Sequence, residues 1–381
     1  MARHPRRRCL AGARSAAIVI LCSALVTACA LRQGAADPDT ATLKSPIDVQ
    51  ARRTLMGVAV GPFTCESPPI PMGDVLPESF YTDPAGSIID PERFAARTRI
   101  VKPLGDFGSG VTRMADRWLG SKPPQPEAAR CALGWLDAWA RAEAMLGRVT
   151  NQGGYERKWI LGGVAQAYLR LRDAPDLDSR AKARVERWFA RLAQEVRTYY
   201  DRRATSRRTD IRNNHLYWAA LAVAASGIAV NDGGLFAWAV EQYRFALTQI
   251  AAEGTLPLEV ARKGKALHYH VFAVMPLVMI AEMGAANALD LYGEHDGALR
   301  RLVDRAVEGL HDPSYFERLT GTTQDFGGSL SGWHVAWAEI WYARFHDPAV
   351  SDLLRRYRPA RNAWLGGDAT LAFGVRDLLG R

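Results

Sequence analysis

The spacing of apolar positions divides the 381-residue chain into unlike stretches. From Cys131 onward, hydrophobic residues return at helical intervals. Trp135 and Trp139 stand one turn apart in CALGWLDAWARAEAMLG, which predicts an amphipathic helix ending at Gly147. Similar periods predict helices over about 156–172, 179–200, 214–230, 234–252, 267–288, 297–310 and 332–346. Gly, Asp and Pro mark the loops between them, as at Asp173-Ala174-Pro175 and Asn231-Asp232-Gly233-Gly234. No segment after residue 131 sustains period-two alternation. Helix pairs at this spacing, without a literal repeat, fit an all-α fold: an (α/α) incomplete toroid or an irregular helical bundle. Residues 30–130 are rich in Pro and Gly, so loops, short elements and one helix near 107–119 are expected there.

The N-terminus follows a third pattern. Arg3, Arg6, Arg7, Arg8 and Arg14 precede an apolar run from Ala16 to Val26, followed by Thr27-Ala28-Cys29. A basic region, a short apolar region and small residues read as an export signal. The run is too short to cross a bilayer, which takes ~20 residues. Val26-Thr27-Ala28-Cys29 resembles a bacterial lipobox, in which Cys29 is lipidated and becomes the new N-terminus; simple cleavage after Ala28 or Ala30 is the alternative. The expected organisation is an export signal over 1–29, a linker over 30–60 and a single domain over 61–375. The expected location is the periplasm, with an outer-membrane anchor if Cys29 is lipidated.

Composition then narrows the partners. Hydrophobic residues at 48% and charged residues at 23% exclude a disordered chain, a collagen-like repeat and a polytopic membrane protein. The formal charge of +9 suggests a polyanionic partner. Five of those charges are the signal's arginines, leaving +9 − 5 = +4 after export. That removes most of the support for nucleic acid. Cys9 and Cys22 also leave with the signal. Cys65 and Cys131 remain, and two cysteines in an oxidising compartment suggest one disulfide closing a loop of roughly 65 residues.

Two segments carry candidate chemistry. In Arg212-Asn213-Asn214-His215-Leu216-Tyr217-Trp218, asparagines open a very apolar helix, an ordinary place for N-caps. His215 falls in the first turn, where the helix N-terminus lowers imidazole basicity and attracts anions. The second segment, Leu256 to His270, places Arg262, Lys263 and Lys265 just before His268-Tyr269-His270 at the start of another apolar helix.

Together these segments resemble polysaccharide lyase family 5, the alginate (poly-mannuronate) lyases. The resemblance rests on the NNHxYW run at Asn213–Trp218, the ALHYH run at Ala266–His270, and Arg262 seven residues before Tyr269. Further agreement lies in Cys131–Leu146, Lys158–Arg172 and Leu365-Gly366-Gly367-Asp368, so it covers about residues 60–370. It implies an (α/α) toroid with a groove for an acidic polysaccharide, acting as a monomer with no required metal or cofactor. It also implies β-elimination across a 1,4-glycosidic bond. Arg262 and Asn214, assisted by His215, would neutralise the uronate carboxylate, and Tyr269 would exchange protons with C5 and O4. His215 as base with Tyr269 as acid is the competing division. Arg262 is expected to lower the Tyr269 pKa toward usefulness. Tyr81, Lys158, Trp159 and His268 are the candidate substrate contacts, Tyr81 on a lid loop around 77–92. The family has a Ser-Lys-Tyr run on that lid, whereas this chain has Ser79-Phe80-Tyr81. An apolar ring in place of a cation opens polyglucuronate as an alternative substrate.

Three rival readings are weaker. A metal site at His268 and His270 fails because i and i+2 face apart on a helix. An inverting hydrolase needs two carboxylates across the groove, and Glu259, Asp210 and Asp232 read most simply as loop and cap residues. A non-catalytic polyuronate-binding protein would not need Tyr269 and His215.

Overall fold

The computed structural model describes residues 42–378. The export segment and Cys29 lie outside the described residues. The helices alternate between two rings along the chain. Pro91–Gly120, Asn151–Leu171, Asn214–Val230, Ala266–Ala286 and Ala336–Phe345 pack each against the next as an inner ring. Pro126–Arg141, Ser179–Asp201, Gly233–Thr248, Glu294–His311 and Pro348–Tyr357 return outside them. This is an all-α toroid.

Burial follows from sequence. The inner helix Asn214–Val230 is apolar around its whole circumference and is buried from Leu216 to Ala229. The outer helix Ser179–Asp201 buries Ala181, Val185, Trp188, Leu192, Val196 and Tyr200, a single stripe at helical spacing. Strand is confined to two minimal pairs: Val58–Ala59 parallel to Ser121–Lys122, and Arg361–Asn362 antiparallel to Gly367–Asp368.

Two expectations for the first hundred residues change. The helix expected near 107–119 runs from Pro91 to Gly120. Asp90 caps it by accepting from the Glu92 and Arg93 amides, and Pro91 occupies the first turn, where a missing N–H costs nothing. Two of its glycines are packing positions: Gly110 leaves room for the Trp135 ring, and Gly108 faces Ile160. Residues 42–60 are not a free linker either. The helix Val49–Met56 packs on Pro91–Gly120, and Arg52 donates to the carbonyls of Leu371 and Gly374. Cys65 and Cys131 are joined by a disulfide, with their Cα atoms 5.8 Å apart.

Candidate active site

The starts of two inner helices meet beneath the loop over residues 77–92 and enclose a cavity of 590 Å³. At the Asn214 helix, the Asn213 side chain accepts from the His215 amide and starts the first turn. At the Ala266 helix, a short turn over Pro257–Val260 delivers Arg262. Glu259 ties the two starts together. Its carboxylate is wholly buried and accepts from both the backbone amide and the side-chain amide of Asn214, at 2.8 and 2.9 Å. Burial raises the Glu259 pKa, while Arg262 and the Asn214 hydrogen bonds oppose the rise.

Arg262 and Tyr269 form the centre of the site. The guanidinium lies 3.6 Å from the centroid of the Tyr269 ring, and the Tyr269 hydroxyl is 2.5 Å from that of Tyr81. Arg262 donates one Nη to the carbonyl oxygen of Gly86 at 2.6 Å, while its buried Nε has no partner. Among the described residues no carboxylate lies within ion-pair distance of this guanidinium. Arg97, the other arginine of the cavity, is already paired with Glu156 at 2.5 Å. Arg262 is thus the cation free to take an incoming carboxylate.

The loop above the cavity is built on its own hydrogen bonds. Asp83 accepts from the amides of Ser87 and Ile88, and Tyr81 bridges to Ile89. Among the described residues, the loop's tip is tied to the cavity floor by the Tyr81–Tyr269 hydroxyl pair and by Arg262 on the Gly86 carbonyl, while its base accepts from the Thr150 hydroxyl at the Pro77 carbonyl. Phe80 lines the cavity, 5.2 Å edge-on from Phe94 and 5.8 Å beneath the Arg97 guanidinium.

His215 lines one wall and stacks on Tyr155 at 3.8 Å. Burial, together with the charges of Lys158, Arg262 and Arg208, drives its pKa well below the usual imidazole range, so it is neutral at physiological pH. Burial, with smaller effects from His334 and Lys265, pushes His268 down to about 3. The His268 ring also lines the cavity, and its Nδ1 has no partner among the described residues. His270 faces away: its Nε2 accepts from the Leu256 amide and its Nδ1 donates to the Ala266 carbonyl. An aromatic surface completes the cavity, with Trp159 stacked on Trp364 at 4.5 Å and Phe272 on Trp333 at 6.1 Å.

Three expectations are revised by this geometry. Asn214 is fully buried on Glu259 and does not line the cavity; Asn213, its neighbour, does. Lys158 is only 1% exposed and stands behind His215, not in the groove. The expected lowering of the Tyr269 pKa is reversed. Burial raises it well above the usual phenol range, Arg262 opposes, and the Tyr81 hydroxyl reinforces the rise. A phenol whose ring and oxygen are both shielded from water cannot ionise cheaply even beside a guanidinium.

Two contributors escaped the sequence reading, and a third, Glu259, reads there only as a loop or cap residue. Glu259 had a signal in its position three residues before Arg262. Trp333 and Trp364 had none, because they enter from the far C-terminal part of the chain. Trp364 is presented by the Leu365-Gly366-Gly367-Asp368 turn, where Gly366 and Gly367 adopt φ of +88° and +119°. The Asp368 amide is held at 3.0 Å by Asp116, a carboxylate paired with the buried Arg170.

Comparison with known proteins agrees with this architecture. The family model described as alginate lyase matches residues 75–316. A polysaccharide lyase of Stenotrophomonas maltophilia (strain K279a) is 37% identical over 330 residues, covering 86% of this chain and 96% of its own. An alginate lyase of Pseudomonas putida (strain GB-1) is 36% identical over 325 residues, covering 82% and 86%. Among solved structures, alginate lyase A1-III of Sphingomonas species A1 superposes with a TM-score of 0.75 at 24% identity, covering 88% of this chain and 98% of that one. The same enzyme has been solved with a bound tetrasaccharide, at a TM-score of 0.78. With a family match across most of the domain and relatives above 30% identity over nearly their full length, the chain belongs to the alginate lyase family.

Proposed function

We propose that this polysaccharide lyase cleaves mannuronate-rich alginate by β-elimination, and that it does so in the periplasm after export, anchored where Cys29 is lipidated. The observation that carries the reading is the pair of Arg262 and Tyr269: an unpaired guanidinium stacked on a buried phenol at the floor of a covered cavity. The tetrasaccharide bound to the related A1-III enzyme supports an oligouronate as the occupant.

The chemical obstacle is the weak acidity of C5–H beside a carboxylate. Arg262 meets that carboxylate and, with His215, spreads the charge that builds as the proton leaves. The C5–H bonding pair becomes the C4=C5 double bond as the C4–O4 bond breaks, and O4 departs with a proton. In mannuronate both sites lie on one face of the ring, so one group serves both. Tyr269 is that group. Burial holds it as a neutral phenol at rest, suited to protonate O4. To accept from C5 it must first release its own proton to solvent and become a phenolate, a step whose cost is lowered by the guanidinium 3.6 Å from its ring; the proton it then takes from C5 is the one it passes to O4.

Phe80 favours a second reading. It lines the cavity where the family's lid carries a lysine, so the lid adds apolar surface where a cation would have met a uronate. Polyglucuronate is therefore the rival substrate. Initial rates of double-bond formation on mannuronan, mixed alginate and polyglucuronan separate the two. Mannuronan fastest is expected; polyglucuronan fastest would replace the first reading with the second.

A further inference from the structure

Lys158 has no place in the chemistry described above, yet its surroundings are built around its amine. It sits on the inner helix Asn151–Leu171, only 1% exposed, and does not reach the cavity. Its Nζ lies 3.0 Å from the Tyr200 hydroxyl, 3.4 Å from His215 Nδ1 and 4.2 Å from the centroid of the Tyr155 ring. Burying an amine this deeply is costly unless its hydrogens are used.

The Tyr200 hydroxyl donates its one proton to the His215 carbonyl at 2.9 Å, so its oxygen accepts from Lys158. Lys158 keeps at least one further hydrogen, whether its amine is charged or neutral. His215 Nδ1 is the nearest remaining acceptor, and the face of Tyr155 takes a third hydrogen when the amine is an ammonium. The imidazole is gripped on its other sides as well. Tyr155 stacks on the ring at 3.8 Å and is itself fixed by donating to Asp210 at 2.6 Å. Asp210 is in turn paired with Arg208 at 2.6 Å. His215 Nε2 makes no hydrogen bond with the described residues, and the ring lines the cavity.

We propose that Lys158 is a positioning residue of the elimination: by donating to Nδ1 it fixes His215 as the Nε2–H tautomer, so the imidazole offers the substrate a donor and not a base. This rests on the lyase reading of the same site. A neutral imidazole carries a single proton, so the nitrogen that holds it decides the role. With the proton on Nε2, His215 joins Arg262 in neutralising the carboxylate, and proton transfer at C5 and O4 falls to Tyr269 alone. A helix-borne amine behind the ring thereby settles a choice that sequence leaves open.

The test begins on wild-type protein without substrate. Nitrogen-15 NMR of histidine-labelled protein at neutral pH distinguishes the two tautomers, and the His215 signals are assigned by their loss in His215→Gln. The Nε2–H pattern is expected. An Nδ1–H pattern would overturn the proposal, because Lys158 would then accept and His215 would present a basic nitrogen to the cavity. Lys158→Met removes the donor and keeps an apolar stem. It is expected to shift the His215 signals toward a mixture of tautomers and to lower kcat on the order of tenfold, the worth of one buried hydrogen bond. A folded Lys158→Met protein with the wild-type tautomer and wild-type kcat would equally overturn it. A wild type that forms no unsaturated product on any polyuronate removes the lyase reading and this role with it. That failure is distinct from the tautomer result, which is read without substrate.

Discussion

Gly86→Ala is the change that most directly probes the link between the loop over the cavity and the cation beneath it. Gly86 sits at φ +63°, and its carbonyl receives the Arg262 Nη at 2.6 Å. Two penalties follow from adding a methyl group. The left-handed backbone costs an alanine about 1–2 kcal/mol. The new Cβ would also stand 2.8 Å from an Arg262 Nη and 3.2 Å from its Cζ, so guanidinium and loop cannot keep their present spacing. Losing the charge-assisted hydrogen bond adds about 1.5 kcal/mol. Together these amount to roughly 3 kcal/mol against the present contact between loop and Arg262, or about a hundredfold in its population relative to an arrangement without it. The loop's own hydrogen bonds, centred on Asp83, are untouched, so the body of the fold should not be affected. The assay is kcat/KM on a polyuronate alongside Tm. A fall of about tenfold to a hundredfold in kcat/KM is expected, with Tm lower by no more than about 4 °C. An unchanged kcat/KM would refute the claim that this contact holds Arg262 for catalysis. A much larger loss of Tm would mean that Gly86 serves the fold as a whole.

Three further outcomes can be checked separately. Because burial raises the Tyr269 pKa and the base form must be deprotonated, kcat/KM should climb from about pH 7 to about pH 9; a profile flat over that range would remove the phenolate from the mechanism. Phe80→Lys restores a cation to the loop and should shift the rate ratio between mannuronan and polyglucuronan by several-fold, whereas an unchanged ratio would show that Phe80 does not meet the substrate. Cys65→Ala with Cys131→Ala opens a loop spanning 66 residues of sequence separation and should lower unfolding free energy by up to ~4 kcal/mol, measured by denaturant titration; a loss below about 1 kcal/mol would contradict the loop-entropy account.

How far sequence reached depended on whether a signal was local. Most inner and outer helices after residue 131 are legible because their apolar spacing is a property of each segment alone, although the first stops at Arg141 short of Gly147 and the last outer helix, Pro348–Tyr357, is not predicted. The proximity of Arg262 and Tyr269 is legible for the same reason: a short turn and the first turn of one helix carry both. The first half of the helix Pro91–Gly120 was hidden, with Pro103 near its middle and a Pro- and Gly-rich stretch ahead of it, although Asp90-Pro91 is a start signal that a cap-based reading would have used. What sequence does not give is facing. Asn213 and Asn214 differ by one position, yet one lines the cavity and the other is buried on Glu259, 45 residues away along the chain. Lys158 reads as a groove cation because lysine is rarely buried; only the hydroxyl of Tyr200 and the ring of His215 around its amine reveal a different role. The Tyr269 pKa reversed direction for a related reason. Its charged neighbour is adjacent in the motif, while the desolvation that outweighs it comes from the whole fold.

The central claim is that one buried phenol beside Arg262 carries the proton transfer of a polyuronate elimination. Ultraviolet absorbance of the C4=C5 double bond, followed on mannuronan with wild type and Tyr269→Phe side by side, tests it most directly. The expected result is a steady rise with wild type and a loss of about a hundredfold or more with the variant, whose affinity for the polymer is retained. A wild type that produces no absorbance, or a Tyr269→Phe protein that keeps most of its turnover, would contradict it.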